Sequence, residues 1–148
     1  MAQKKGIWKK TKQFLKTFAQ TNTTPHEIAL GFSIGIFIGI FPTPGISLIL
    51  ALFVIWLFKV NRLAVLLGLP IANPLTSPVF FIAGTKLGSW ILGTGINVME
   101  LKFSWQTFLS VLREYLIGVT LIALFFSVLS YFLVYAIVKQ HKEKKRKK

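Results

Sequence analysis

The sequence predicts an all-α fold, a small polytopic helical membrane protein with proline-broken helices and an N-terminal amphipathic helix. Composition is the first reason. Of 148 residues, 53% are hydrophobic and 15% charged, whereas soluble domains carry about 25% charged residues. Charge placement is the second. Residues 1–16 and 139–148 hold 13 of the 18 lysines and arginines. Residues 17–138 carry only Lys59, Arg62, Lys86, Lys102 and Arg113 against Glu27, Glu100 and Glu114. Eight charges cannot cover the surface of a soluble body of that length. The third reason is that apolar stretches are interrupted by proline clusters. The length suits one domain, divided into a basic arm (1–24), a helical membrane domain (25–138) and a polybasic cytoplasmic tail (139–148).

In the arm, Ile7, Trp8, Phe14, Leu15 and Phe18 recur at near-helical spacing among Lys9, Lys10, Lys12 and Lys16. That pattern suits a basic helix lying in a membrane interface. After a polar break, Thr24-Pro25-His26-Glu27 reads as a helix start, with Thr24 as N-cap and Glu27 at the capping-box position. Capping is the expected role of Glu27. His26 reads as a polar interface residue, since no second ligand stands near it.

Ile28 to Phe41 is an apolar helix in which Gly31, Gly35 and Gly39 repeat every fourth residue. Such a stripe lets another backbone approach closely in lipid. Pro42, Pro44 and Gly45 break the helix, because proline removes a backbone donor and disfavours helix in the residue before it. A second apolar helix runs from Ile46 to Phe58. Each arm is roughly 20 Å long, short of the roughly 30 Å hydrocarbon core. The pair is either a re-entrant hairpin or a pair of spans lengthened by neighbouring helices.

Leu63 to Leu69 is again apolar, and the run from Pro70 through Asn73, Pro74, Thr76 and Ser77 to Pro78 interrupts it. Irregular chain at membrane depth must be buried in protein or line a wet cavity. Asn73, Thr76 and Ser77 supply side-chain donors and acceptors there. Val79 to Leu92 resumes the helix, with Gly84 and Gly88 again four apart. A loop at residues 93–97 leads into a mixed interfacial stretch, 98–114, whose polarity comes from Lys102, Arg113 and Glu114. Leu116 to Val138 has 23 residues without charge or proline and is the expected transmembrane helix.

The basic ends lie outside the apolar body rather than on a folded face with interleaved aromatics. This pattern excludes a nucleic-acid binder and points instead to the lipid bilayer and its anionic headgroups as partners. The chain has no cysteine, which removes disulfides and thiolate metal sites. It also has no aspartate, and its four glutamates form no pair on one helical face. No general acid–base couple, metal set or cofactor is expected, and the protein is read as not an enzyme.

The informative feature is the pair of broken helices, a pattern that in transporters marks a midplane binding site. From it come the candidate ligand residues Asn73, Pro74, Thr76, Ser77 and Arg62, the last a source of positive charge or else a snorkelling anchor. Helix packing is assigned to Gly31, Gly35, Gly39, Gly84 and Gly88. Helix breaks are assigned to Pro42, Pro44, Gly45, Pro70 and Pro78.

The same residues carry a resemblance. Ala29-Leu30-Gly31, Gly35, Gly39, Phe41-Pro42-x-Pro44-Gly45, Asn61-Arg62, Asn73-Pro74-Leu75-Thr76-x-Pro78 and Gly88 resemble the bacterial membrane-protein family catalogued as domain of unknown function 2062. The resemblance covers roughly residues 12–138 and implies a small inner-membrane protein with no assigned activity.

With both ends basic, both termini are expected in the cytoplasm. Residues 26–58 would return to their starting side, 63–92 would cross once as a broken helix, and Leu116–Val138 would cross back. The expected function is transporter-like or lipid-handling, through a polar cavity at the broken helices. The alternative is a membrane scaffold or partner subunit that packs through its glycine stripes, as a homodimer or on another membrane protein. An enzyme acting on lipid carriers has the least support from the residues.

Overall fold

A computed structural model describes residues 23–43, 45–71, 76–95 and 104–146. Among these, all regular structure is helical: α1 (Pro25–Ile40), α2 (Ser47–Leu57), α3 (Arg62–Gly68), a 3-10 turn (Leu69–Ile71), α4 (Ser77–Leu92) and α5 (Trp105–Arg146). The amphipathic arm up to residue 22, Pro44, Asn73 and Pro74 lie outside the described residues.

α1 starts three residues before the apolar run because its cap is complete. The Glu27 N–H donates to Thr24 Oγ1 at 3.2 Å and the Thr24 N–H to Glu27 Oε2 at 3.1 Å. Pro25 takes the first helical position, where no intrahelical acceptor awaits an N–H. The helix ends at Phe41, whose extended backbone precedes Pro42. Gly45 adopts a left-handed φ of 77°, and Ser47 begins α2 with its hydroxyl donating to the Thr43 carbonyl at 2.8 Å.

α2 carries the chain back to its starting level. The Asn61 N–H donates to the Glu27 carbonyl at 3.2 Å, and Asn61 Nδ2 donates to Thr23 Oγ1 at 3.1 Å. Asn61 also caps α3, its Oδ1 accepting from the Ala64 N–H at 2.9 Å. Asn61 therefore ties the start of α1 to the start of α3, through its buried side chain and its backbone N–H. Asn61→Ala is expected to cost about 1–3 kcal/mol, combining a lost cap with partners left unsatisfied. Unfolding in detergent beside Asn61→Asp, which keeps the cap oxygen, would check this. An unchanged Asn61→Ala would remove Asn61 from that role.

α3 then runs parallel to α1 along its glycine stripe. Ala64 and Val65 lie over Gly31, the Val65 carbonyl and Gly68 over Gly35, and the Leu69 carbonyl over Gly39. The break that follows differs from expectation at two prolines. Pro70 continues the helical path as part of the 3-10 turn. Pro78 belongs to the first turn of α4, which begins two residues before Val79. At that position the missing N–H has no intrahelical acceptor to lose.

α4 runs antiparallel to α5. Gly84 packs on Tyr115 and Val119, and Gly88 on the Glu114 backbone. Gly93, left-handed at φ 66°, ends the helix.

α5 departs most from the sequence reading. Residues 105–114, the apolar segment and the basic tail to Arg146 form one helix of 42 residues, roughly 60 Å long. It holds no proline, and lysine, arginine, glutamine and glutamate are good helix formers, so changes in polarity along it impose no break. Among the described residues, α5 is the one helix long and apolar enough to cross a membrane by length and composition.

α1 is also antiparallel to α5. Ile28 packs with Val138 and Val134, while Ile36 and Ile40 pack with Val119 and Ala123. Ser127 Oγ donates to the Ser33 carbonyl at 2.9 Å, and His26 Nδ1 meets the Tyr131 hydroxyl at 2.8 Å. One end of the molecule thus gathers Thr23–Glu27, Lys59–Arg62 and α5 near Val138, where Lys142 Nζ donates to the Thr23 carbonyl. The other end holds the C-terminus of α4 and the start of α5.

The sides of this bundle are apolar. In α2 only Ala51 is buried, while Trp56, Phe53 and Leu52 are exposed, as are Phe125, Val128 and Phe132 along α5. The interior is partly polar, with Ser33, Asn61, Thr85, Ser89, Glu114 and Ser130 buried.

Candidate functional site

Of the candidate ligand residues in the broken segment, Thr76 and Ser77 are described. Thr76 precedes α4 with helical backbone angles and makes no side-chain cap, and Ser77 is exposed. Arg62 is exposed at the start of α3. Six further residues of α3 and three of the 3-10 turn follow before the chain reaches the break, a rise of roughly 15 Å. Arg62 is therefore at the basic end, at the start of the helix that leads to the break, and Asn73 and Pro74 lie outside the described residues.

Glu114 is the residue that the sequence reading passed over. Counted there among the charges of an interfacial stretch, it is 1% exposed. Gly88 and Gly118 explain why. A Cβ on Gly88 would fall on the Glu114 carbonyl, and one on Gly118 on the Gly84 carbonyl. The two backbones thus cross in contact, and Glu114 lies at the crossing. A signal was available in the sequence: Glu114 is four residues before Gly118 and three after Val111, on the α5 face that a glycine opens to a neighbouring helix.

The C-terminus of α4 supplies the surroundings of Glu114. The N–H groups of Gly93 and Thr94 (3.2 Å) both donate to the Ser89 carbonyl, so the chain turns back over the helix end. This turn brings Thr94 Oγ1 to donate to Glu114 Oε1 at 2.5 Å. Ser89 Oγ lies 3.1 Å from the same threonine hydroxyl. Glu114 Oε2 is buried and has no hydrogen-bond partner. On the adjacent α4 face, Lys86, Ser89, Trp90, Gly93 and Gly95 line an open depression of about 420 Å³. Ser89 joins the two, since it lines the depression and touches the threonine that holds the carboxylate. A buried carboxylate with one unsatisfied oxygen costs several kcal/mol, on the order of 1–3 or more, and such a group inside an apolar helical body is by default a functional candidate.

A family model described as an uncharacterized protein conserved in bacteria, domain of unknown function 2062, matches residues 9–147. The chain belongs to this family. The match takes in every described helix of this domain of unknown function 2062 protein, including α5 beyond Val138. No curated protein and no solved structure matches the chain.

Proposed function

We propose that this domain of unknown function 2062 protein is a multi-pass inner-membrane protein that handles a substrate along a polar interior, as a transporter or in moving lipid, without catalysis. One observation carries the reading: large aromatic and aliphatic side chains are exposed along α2, α4 and α5, while Ser33, Asn61, Thr85, Ser89, Glu114 and Ser130 are buried beside the aliphatic core. The most apolar stretch of α5 is only 17% buried, so it is unlike the core helix of a soluble protein. Lipid as the outer solvent accounts for this arrangement.

In this reading α1 and α2 form a hairpin returning to the basic end, the α3–α4 pair makes one broken crossing, and α5 crosses back. Lys59, Arg62, Lys139 and Lys142 then share the cytoplasmic side, near anionic headgroups. The scaffold alternative relied on glycine stripes. Those stripes already pack on α3 and α5 within the chain, which favours substrate handling. A homodimer would supply the further helices that a body of this size needs to enclose a path.

The cysteine-free chain makes the test direct. A polar, membrane-impermeant maleimide should label Thr94→Cys in intact cells and Lys142→Cys only after permeabilisation. Ser77→Cys should react in isolated membranes if the break is wet. Labelling of both ends from outside would overturn the topology, and protection of Ser77→Cys would return the scaffold reading.

A further inference from the structure

We infer that Glu114, Thr94 and Ser89 form a binding site for a monovalent alkali cation at the α4–α5 crossing. The strongest ground is Glu114 Oε2, a buried carboxylate oxygen with no hydrogen-bond partner. The other carboxylate oxygen, Oε1, is held by the Thr94 hydroxyl, which fixes the direction in which the group points. No ion pair to Glu114 is present among the described residues, and Lys86, which lines the open depression beside Ser89, is exposed rather than paired with the buried carboxylate.

The surroundings favour positive charge further. Glu114 sits at the C-terminal end of α4, where unsatisfied carbonyls give a partial negative charge. Half-helix C-termini and carboxylates are the groups that hold coupling cations in membrane proteins. The donor atoms are oxygens, from a carboxylate and two hydroxyls, which suits a hard cation rather than a transition metal. A single carboxylate balances a single positive charge. Calcium sites use 6–8 oxygen ligands, roughly, with several carboxylates, and no group of three acidic or histidine residues occurs among the described residues.

The site stands on this local geometry, whether or not the protein transports anything. The test is thermal unfolding of the full chain in detergent, in sodium, lithium, potassium or choline chloride at equal ionic strength. Sodium, or another of the alkali cations, should raise the midpoint saturably by roughly 3 °C or more over choline. Glu114→Gln, close in shape, should lose the response. Thr94→Val should shift the sodium concentration at half-effect upward about tenfold, which tests the site even if Glu114→Gln does not fold. Equal midpoints in all four salts, or an undiminished sodium response in Glu114→Gln or Thr94→Val, would overturn the inference. A sodium response beside a protected Ser77→Cys would keep the cation site and reject substrate handling. The reverse pair of results would reject the cation site alone.

Discussion

Leucine at Gly88 or Gly118 is expected to leave no folded protein in detergent. The obstacle at both positions is backbone. A Cβ at Gly88 meets the Glu114 carbonyl oxygen and carbon, and one at Gly118 meets the Gly84 carbonyl. A crowded side chain can change rotamer, but a carbonyl inside a helix can move only with its helix. The helices would have to separate, which would expose Glu114 and Ser89 to the apolar surroundings. Overpacking ordinarily costs about 1–3 kcal/mol. Here the loss of the whole crossing should exceed about 4 kcal/mol. Gly84 sets a useful intermediate, because its first contact is the Tyr115 side chain at 3.0 Å, which can yield. The order Gly88→Leu and Gly118→Leu worst, Gly84→Leu milder, should appear in detergent melting and gel filtration. Ala83→Leu and Ala136→Leu, on exposed faces, add similar bulk and should stay within about 0.5 kcal/mol. If Gly88→Leu melts with Ala83→Leu, the two helices do not cross there.

The glycine contacts also mark what the sequence can and cannot say. A four-residue period identifies a face, so Gly31, Gly35 and Gly39 were readable as a packing stripe. It does not name what lies on that face. A helix from the same chain and one from another copy require the same small residues, and the scaffold reading came from that ambiguity. Thr24 and Glu27 were readable in detail because a capping box is local, with both partners three residues apart. Asn61 was not, since two of its bonds reach Thr23 and Glu27 across a hairpin that the sequence leaves undrawn. α5 was divided at changes of polarity, yet backbone hydrogen bonding is indifferent to which solvent surrounds a helix, and only proline or an unfavourable cap would have ended it. Glu114 is hidden for the same reason. A charge at the edge of an apolar segment reads as interfacial, although its spacing to Gly118 puts it on the buried face.

Lysine in place of Phe125 or Val128 is expected to block stable insertion, although both side chains are exposed. In water, an exposed apolar residue on a helix is replaced by lysine with a change usually within about 0.5 kcal/mol, and solubility improves. In a bilayer the same exposed position faces hydrocarbon, and a lysine near the middle of a spanning helix costs about 2.5–3.5 kcal/mol on insertion scales. Phe125 and Val128 lie near the centre of the uncharged stretch, 65% and 55% exposed. A lysine stem there is far from both ends of the stretch, so snorkelling relieves little of the cost. Gln106→Lys, also exposed but at the start of α5, should be neutral. The measurement is the amount of each variant retained in membranes after alkaline wash, with folded yield in detergent alongside. Strong loss for Phe125→Lys and Val128→Lys with normal Gln106→Lys fits lipid around α5. If all three variants accumulate equally, the exposed aromatic and aliphatic side chains do not face a bilayer. The exposed apolar faces would then need another cover, such as a second protein surface over α2 and α5.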